Sequence, residues 1–276
     1  MKNYLRPNSN LRPPNKKVVK AIQNIVEWYF KPTYSGLDNL DKHQPALYVS
    51  NHTLLGITDG PLYMSKLWNE KRIFLRPLVD KMQRHIPIWR KLITDIGGVI
   101  ASRENCRNLM NQHQHILVFP GGTNEAFKKQ GEEYQLIWKE RYGFVKLAIE
   151  NKYPIIPIAG LGGDELYDIL LDKDDIMRSF IGQWLKDTGI ADKYLKGGEN
   201  IPPLVSGWGG TLLPRRKHIY YHFGVPILTA QYGGVASEDV IKLIRKQVEV
   251  SLYKGMQEMQ VLREERRKRY KKKKKR

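Results

Sequence analysis

The sequence predicts an α/β domain: a mostly parallel central sheet with helices on both faces, an N-terminal amphipathic helix and a basic C-terminal tail. Three observations point there. Short apolar runs of strand length recur along the chain, segments with helical spacing alternate with them, and the runs end in polar or glycine-bearing turns. The 276 residues suffice for one large domain with a substantial core, and no linker composition divides them. The expected boundaries are a flexible basic arm over 1–17, a folded domain over 18–262 and a polybasic tail over 263–276.

The first element is a helix over 18–30, VVKAIQNIVEWYF. Val18, Val19, Ile22, Ile25, Val26, Tyr29 and Phe30 fall at helical spacing, with Lys20, Gln23, Asn24 and Glu27 on other faces. Its apolar side suits either packing on the core or lying in a membrane interface with Trp28, Tyr29 and Phe30 at headgroup depth. PALYVSN (45–51), bounded by Pro45 and a polar turn, predicts a buried strand that delivers Asn51 and His52 at its C-terminal end. Gly56 breaks the chain after it. Thr58 or Asp59 then caps a helix with Pro61 in its first turn, running through Trp68.

Residues 72–75 suggest another strand and 86–97 a helix, followed by the short run GGVIASR, which ends in a polar loop at Ser102 and Arg103. In HILVFPGGTNEAF (115–127), Ile116 to Phe119 read as a buried strand and Pro120-Gly121-Gly122 as a tight bend. A helix over 142–151 and a strand from Pro154 to Ala159 come next. Residues 164–214 carry helix signals at 166–171 and 176–185 and then a Gly/Pro-rich loop, an insertion expected near the ligand pocket. A late strand follows within 217–227, and a long capped helix over 237–262 runs into the basic tail.

Charge narrows the partners. The formal net charge is +19; residues 1–20 hold six basic and no acidic residues, and 261–276 hold eleven basic and two acidic. Such an excess implies a polyanion, either nucleic acid or an anionic membrane, and composition does not choose between them. Near an anionic leaflet each Lys or Arg contributes about 1 kcal/mol, enough for the tail to act as an anchor. The body holds no recognisable nucleic-acid motif, so no specific nucleic acid is expected. The lone Cys106 excludes an internal disulfide and a zinc site built on several thiolates. The longest uncharged stretch, His218 to Ser237, contains two His, three Gly and one Pro, so no spanning helix is expected. The start of the chain lacks the apolar core of a secretory signal, which places the expected site of action on the cytoplasmic side, peripheral to a membrane.

Three loops that follow apolar strands hold the candidate chemistry: Asn51-His52 with Asp59, then Ser102-Arg103, then Gly121-Gly122-Thr123 with Glu125. In a parallel sheet such loops leave along one edge, where these folds bind ligands. A His beside an acid is the minimum for base-assisted attack of an alcohol on a thioester, because imidazole accepts the hydroxyl proton while the carboxylate fixes its tautomer. Glycines at 121 and 122 let backbone N–H groups approach a developing oxyanion or a headgroup.

Taken in order, NHTLLGITD, GGVIASR, ILVFPGGTNEA and YPIIPIAGLGG resemble the four blocks of the glycerolipid acyltransferase superfamily, which includes bacterial lysophosphatidate acyltransferase, across residues 30 to 227. The FPGG of the third block, where phosphate-acceptor members typically carry FPEG, is similar to the branch with diacylglycerol acyltransferase 2, plant phytyl ester synthases and bacterial relatives. The resemblance implies His52 as general base and Asp59 as its partner, with Arg103, Gly121, Gly122 and Thr123 lining the acceptor site. It implies acyl-CoA as donor co-substrate, acyl carrier protein as the alternative, and no metal or other cofactor. The implied function is transfer of a fatty acyl group to a hydroxyl of a neutral glycerolipid or lipid alcohol. The alternatives are a lysophospholipid acyltransferase and an inactive lipid- or nucleic-acid-binding relative.

Two departures from the superfamily pattern matter. Six residues lie between His52 and Asp59 where the motif has four. On one continuous helix that offset separates the pair by about 10 Å along the axis, so a dyad requires His52 in the loop, folded back at Gly56. Asn124 stands where phosphate-acceptor members commonly have Arg, which removes a charged grip and favours a neutral acceptor, although Arg103, Lys128 and Lys129 remain near enough in sequence to meet a phosphate.

Overall fold

The computed structural model describes residue 13, residues 15–80 and residues 95–274. Most of the arm over 1–17, nearly all of the helix expected over 86–97 and the last two residues of the tail lie outside the described residues.

The first helix, α1 (Lys16–Phe30), opens on Asn15, whose side chain accepts the Lys17 N–H, and stops at Lys31 in the left-handed region. Strands β1 (Thr33–Ser35), β2 (Leu47–Ser50), β3 (Leu75–Val79), β4 (Val99–Ile100), β5 (His115–Val118) and β6 (Ile155–Leu161) follow. A separate two-stranded ribbon pairs β7 (Asp168–Leu171) with β8 (Leu204–Ser206), and β9 (Tyr220–Phe223) returns to the main sheet. The sheet order is β1-β9-β6-β2-β5-β3-β4. From β6 to β4 all neighbours are parallel, whereas β9 runs antiparallel to β6 and β1 runs parallel to β9. The sheet is therefore mixed but mostly parallel, as the alternation of apolar runs and helical segments predicts.

Its central strands β2, β5 and β6 are buried on both faces, which is why they read as continuous apolar runs. Leu47, Val49, Ile116 and Ile155 face one layer, made by α2 (Arg103–Asn111), α4 (Gly143–Glu150) and α8 (Glu238–Lys274). Tyr48, Leu117 and Ile156 alternate to the other, under Leu62, Tyr63 and Leu67. Between those helices lies the short α3 (Thr123–Ala126). Ile244, Val248, Leu252 and Met256 seat α8 on the sheet, and Gly255 permits the contact, since a Cβ there would come within 2.8 Å of the Ala159 Cβ. Cys106 is a buried core thiol, pushed up to about 12 by that burial.

Four details differ from the sequence reading. The segment after Asp59 winds in wide π-helical turns, Gly60–Met64 and Leu67–Lys71, and continues past Trp68. Arg72 closes it in the left-handed region, so β3 starts at Leu75 rather than at 72. The helix signal over 166–171 resolves into β7, because pairing with β8 outweighs local propensity. Beyond it α5 (Lys173–Arg178), α6 (Phe180–Asp187) and α7 (Ile190–Leu195) fill the insertion. Finally, α8 does not end near 262 but runs unbroken through the basic segment to Lys274. No Gly or Pro follows Gly255, and Lys, Arg and Glu are good helix formers. No helix among the described residues is long and apolar enough to cross a membrane.

Candidate active site

The C-termini of β2, β5, β4 and β6 share one edge of the sheet, and the loops leaving them bring the first and third candidate segments together. Strand β2 is pinned at its end: the Gly160 N–H donates to Asn51 Oδ1 at 2.7 Å, while Asn51 Nδ2 donates to Gly160 O at 3.1 Å. His52 is the next residue.

Beyond it the chain reverses through two successive left-handed residues, Leu55 (φ 59) and Gly56 (φ 63). This bend answers the unusual spacing. It returns Asp59 to the imidazole, and His52 Nδ1–H donates to Asp59 Oδ2 at 2.7 Å. Gly56 lies against the ring; a Cβ there would fall 2.3 Å from His52 Cε1. Asp59 stands at the N-terminus of the following helix without capping it, because its carboxylate is already engaged. Oδ2 also accepts the Thr53 N–H at 3.1 Å, and Oδ1 accepts the Thr53 hydroxyl at 2.8 Å. The acid is buried and fixed, whereas His52 keeps 21 % of its side chain exposed. Phe119 of the FPGG turn stacks on the imidazole, with ring centroids 4.2 Å apart. With Nδ1 on the carboxylate, Nε2 is the nitrogen left for a substrate proton.

Beneath the loop lies a buried polar frame. Lys128 donates to His52 O at 2.5 Å and to Asp164 Oδ1 at 3.2 Å, and Asp164 also accepts the N–H groups of Leu54 (2.7 Å) and Tyr134 (2.8 Å). Both ends of the ion pair are almost fully buried. Lys128 is thereby turned into the body and does not reach a phosphate, and Lys129 pairs with Asp174. Burial explains the position of Lys128, since lysine belongs by default to the surface, whereas Lys129 stays about a third exposed and is held by its ion pair.

Glu125 is fully buried on α3; it accepts the N–H groups of His52 and Ile137, each at 3.3 Å. Burial pushes its carboxyl up to about 7, against the pull of Lys128, of His52 and of the two N–H groups. A carboxyl that holds its proton more tightly when folded than when unfolded makes the folded state bind extra protons between its unfolded and folded pKa values. Stability is therefore greatest below that window and falls as pH rises through it. The expected loss on going from pH 4.5 to above 7 is about 3 kcal/mol, and Glu125→Gln should remove the slope; urea denaturation at the two pH values checks this.

The third segment forms a tight turn. The Gly122 N–H closes it on Phe119 O at 3.0 Å, and Gly122 adopts φ 52. The Thr123 hydroxyl donates to Asn200 Oδ1 at 2.9 Å, which ties the insertion to this turn. Arg141 donates to Pro120 O at 2.6 Å and lies beside Gly122. Asn124 is buried, and its amide finds no partner among the described residues. Arg103 is apart from this group: it is exposed in the first turn of α2, after edge strand β4, about 14 Å of strand spacing from β2.

Phe119, Lys128, Asp164, Arg141 and Asn200 were not assigned these positions by the sequence reading. Phe119 had a signal in FPGG and Asp164 in the acid that directly follows Gly162-Gly163; the other three had none.

Comparisons with known proteins were made on this frame. The family model described as diacylglycerol acyltransferase matches residues 55–274. Phytyl ester synthase 2, chloroplastic, of Arabidopsis thaliana is 32 % identical over 207 residues, covering 70 % of this chain and 29 % of that protein. Phytyl ester synthase 1, chloroplastic, of the same plant is 28 % identical over 250 residues, covering 80 % and 35 %. The chain thus spans about a third of the length of these plant relatives. Among solved structures, the 1-acyl-sn-glycerophosphate acyltransferase PlsC of Thermotoga maritima superposes with a TM-score of 0.52 at 18 % identity, covering 89 % of this chain and 81 % of that one, a likeness of fold.

Proposed function

The chain belongs to the diacylglycerol acyltransferase family, and from that premise we propose that it transfers a fatty acyl group from acyl-CoA to a hydroxyl of a neutral glycerolipid or lipid alcohol. The observation that carries the reading is the 2.7 Å contact between His52 and Asp59 at the edge of the sheet. The acceptor hydroxyl gives its proton to His52 Nε2 as its oxygen attacks the thioester carbonyl carbon. Asp59 remains ionised and stabilises the imidazolium. Collapse of the tetrahedral intermediate breaks the C–S bond, and the imidazolium returns its proton to the departing thiolate. No protein nucleophile takes part. The FPGGT turn, Gly121 to Thr123, is the candidate cradle for the oxyanion and the acceptor. Because the Gly122 N–H is spent on closing the turn, Gly121 and Thr123 are the amides to test there. Arg103 is assigned to the outer part of the acceptor site.

A neutral acceptor is favoured by Asn124, whose buried amide carries no charge toward the turn. The likeness to the phytyl ester synthases supports the same branch and, with it, long-chain alcohols as well as di- and monoacylglycerols. A second reading, a lysophospholipid acceptor, is favoured by one observation: Arg141 restores a guanidinium beside Gly122. Acyl carrier protein is the alternative donor. Action at a membrane surface, peripherally and from its cytoplasmic side, follows from the insolubility of such acceptors and from the basic ends of the chain.

The test is transfer from labelled acyl-CoA to a panel of acceptors on anionic vesicles. Diacylglycerol, monoacylglycerol or a long-chain alcohol should be acylated, with lysophospholipids at least about tenfold slower, the cost of an unmet phosphate. If lysophospholipids alone react, the Asn124 argument is wrong and Arg141 carries the acceptor.

A further inference from the structure

Helix α1 carries apolar residues on more than one face: Phe30, with Val26 and Tyr29, packs on the core, while a second apolar row is left uncovered. Its polar Gln23 is fully buried, donating to Glu27 Oε1 at 2.8 Å and accepting from Asn69 Nδ2 at 2.7 Å, which fixes that side to the π-helical segment after Asp59. The apolar stripe Val18, Ile22, Ile25, Trp28, at spacings of four, three and three, is left facing outward; Ile25 is 65 % and Trp28 66 % exposed. Phe30 is the one apolar residue of the helix that is buried.

The stripe continues into the insertion. The Tyr29 hydroxyl donates to Pro214 O at 2.6 Å, and Arg216 donates to Tyr29 O and Trp28 O while its guanidinium lies 4.8 Å from the centre of the Trp28 ring. The loop held there exposes Trp208, Leu212 and Leu213. Cations surround this apolar surface. At the C-terminal end of α1 a cavity of about 380 Å³ is lined by Lys31, Lys66, His218 and Arg266, together with Glu27 and Tyr34. Glu27 is engaged by Gln23, and Lys66 by Glu70 at 2.6 Å. Arg266 donates to His218 Nε2 at 3.0 Å, and burial with Arg266 and Lys31 pushes that imidazole down to about 4, so it stays neutral. The Tyr34 hydroxyl is buried without a partner among the described residues. The basic end of α8 departs from the same corner, residues 267–274 extending about 12 Å beyond Arg266.

We propose that this corner docks on an anionic bilayer, the stripe of α1 and the 208–213 loop entering the interface while the cavity at Lys31 and Arg266 takes a lipid phosphate. The occupant is a bilayer rather than a nucleic acid because a phosphate backbone would pair the cations and leave Trp28, Ile25 and Leu212 uncovered. Topology adds a consequence. Strand β9 runs against β6, with Tyr220 opposite Leu161, so Thr33 and Tyr220 begin at the edge where β2 ends. Docking this corner turns the His52 edge toward the lipid. The proposal rests on the acyl-transfer reading for its purpose, but its test needs no acyl donor.

The full chain is sedimented with phosphatidylcholine vesicles and with equimolar phosphatidylcholine and phosphatidylglycerol vesicles. Ile25→Ser/Trp28→Ser should lower partition into both by about tenfold or more, and Lys31→Ala/Arg266→Ala should lower only the anionic partition by a similar factor. All four side chains are on the surface or at the mouth of the cavity, and unchanged circular dichroism confirms folding. Unchanged partition of the first variant overturns the docking face, and an equal loss for both vesicle types in the second overturns the phosphate site. Displacement of wild type from vesicles by duplex DNA, with both variants displaced alike, assigns the cations to nucleic acid and also overturns it. If partition behaves as expected while no acceptor is acylated, the docking face stands and the acyl-transfer reading falls.

Discussion

Replacing His52 with alanine is expected to lower turnover for acyl transfer by about a thousandfold or more while leaving the protein folded and KM for acyl-CoA little changed. General-base catalysis contributes about 10²–10⁴ in such reactions, and among the described residues no second group stands ready to replace it. Glu125, the carboxyl that accepts the His52 N–H, is fully buried and bound to backbone N–H groups, and Asp164 is buried against Lys128. The phenols of Tyr63 and Tyr221 are completely buried, and that burial raises them well above their ordinary value, so neither accepts a proton. His52 is itself partly exposed, and its loss removes a stack on Phe119 and one donor to Asp59, whose carboxylate keeps the Thr53 N–H and hydroxyl, so the stability cost should be about 1–3 kcal/mol. Asp59→Asn should cost nearly as much turnover, since an amide that donates to Nδ1 selects the wrong tautomer. Steady-state kinetics on purified variants, with melting curves as the control for folding, decides the matter. A His52→Ala enzyme that matches wild type would remove the proposed mechanism altogether.

The second large effect concerns stability. Lys128→Met should destabilise the chain by about 3–5 kcal/mol, because it strands the buried Asp164 carboxylate without its cation. For a domain of this size that amounts to a melting point lower by about 10 °C. The loss should extend to activity, since Lys128 also holds the carbonyl of His52. Removing both charges is not a full rescue: Asp164 still owes acceptors to the N–H groups of Leu54 and Tyr134. Denaturant titration of Lys128→Met and of the Lys128→Met/Asp164→Leu pair measures both terms. A Lys128→Met protein of wild-type stability with only a raised acceptor KM would return this lysine to the role of a surface phosphate ligand.

What the sequence disclosed, and what it withheld, follows from the physics of each element. Strands β2, β5 and β6 were legible because burial on both faces makes them continuous apolar runs. β1 was not, since Thr33, Tyr34 and Ser35 are only partly buried and too few to set a period. The reversal of β9 was equally hidden, because a buried strand reads the same in either direction. Helical spacing revealed that α1 is apolar, yet only the contacts of Gln23 and Phe30 decide which face packs inward and that Val18, Ile22, Ile25 and Trp28 face out. In the site, Gly56 announced a bend, but nothing announces a leucine in the left-handed region at position 55, half of the turn that brings Asp59 back. Lys128 was misread for a general reason: a lysine in a polar loop is a surface residue until its partner, here 36 positions away, is seen.

The amide of Asn51 has a consequence for how the sheet ends. Its oxygen and nitrogen meet the N–H and C=O of Gly160 as a peptide group of a neighbouring strand would. The side chain acts as a surrogate peptide, prolonging β2 by one register position after the main chain has turned away. β6 is left with no unpaid backbone group at that point, so the chain departs from the sheet abruptly rather than fraying. The peptide groups released by that substitution belong to the next residue, whose N–H goes to Glu125 and whose carbonyl goes to Lys128. Changes within the 53–58 loop are thereby uncoupled from the integrity of β6, and the position of the base is set by a strand that has, in backbone terms, already finished.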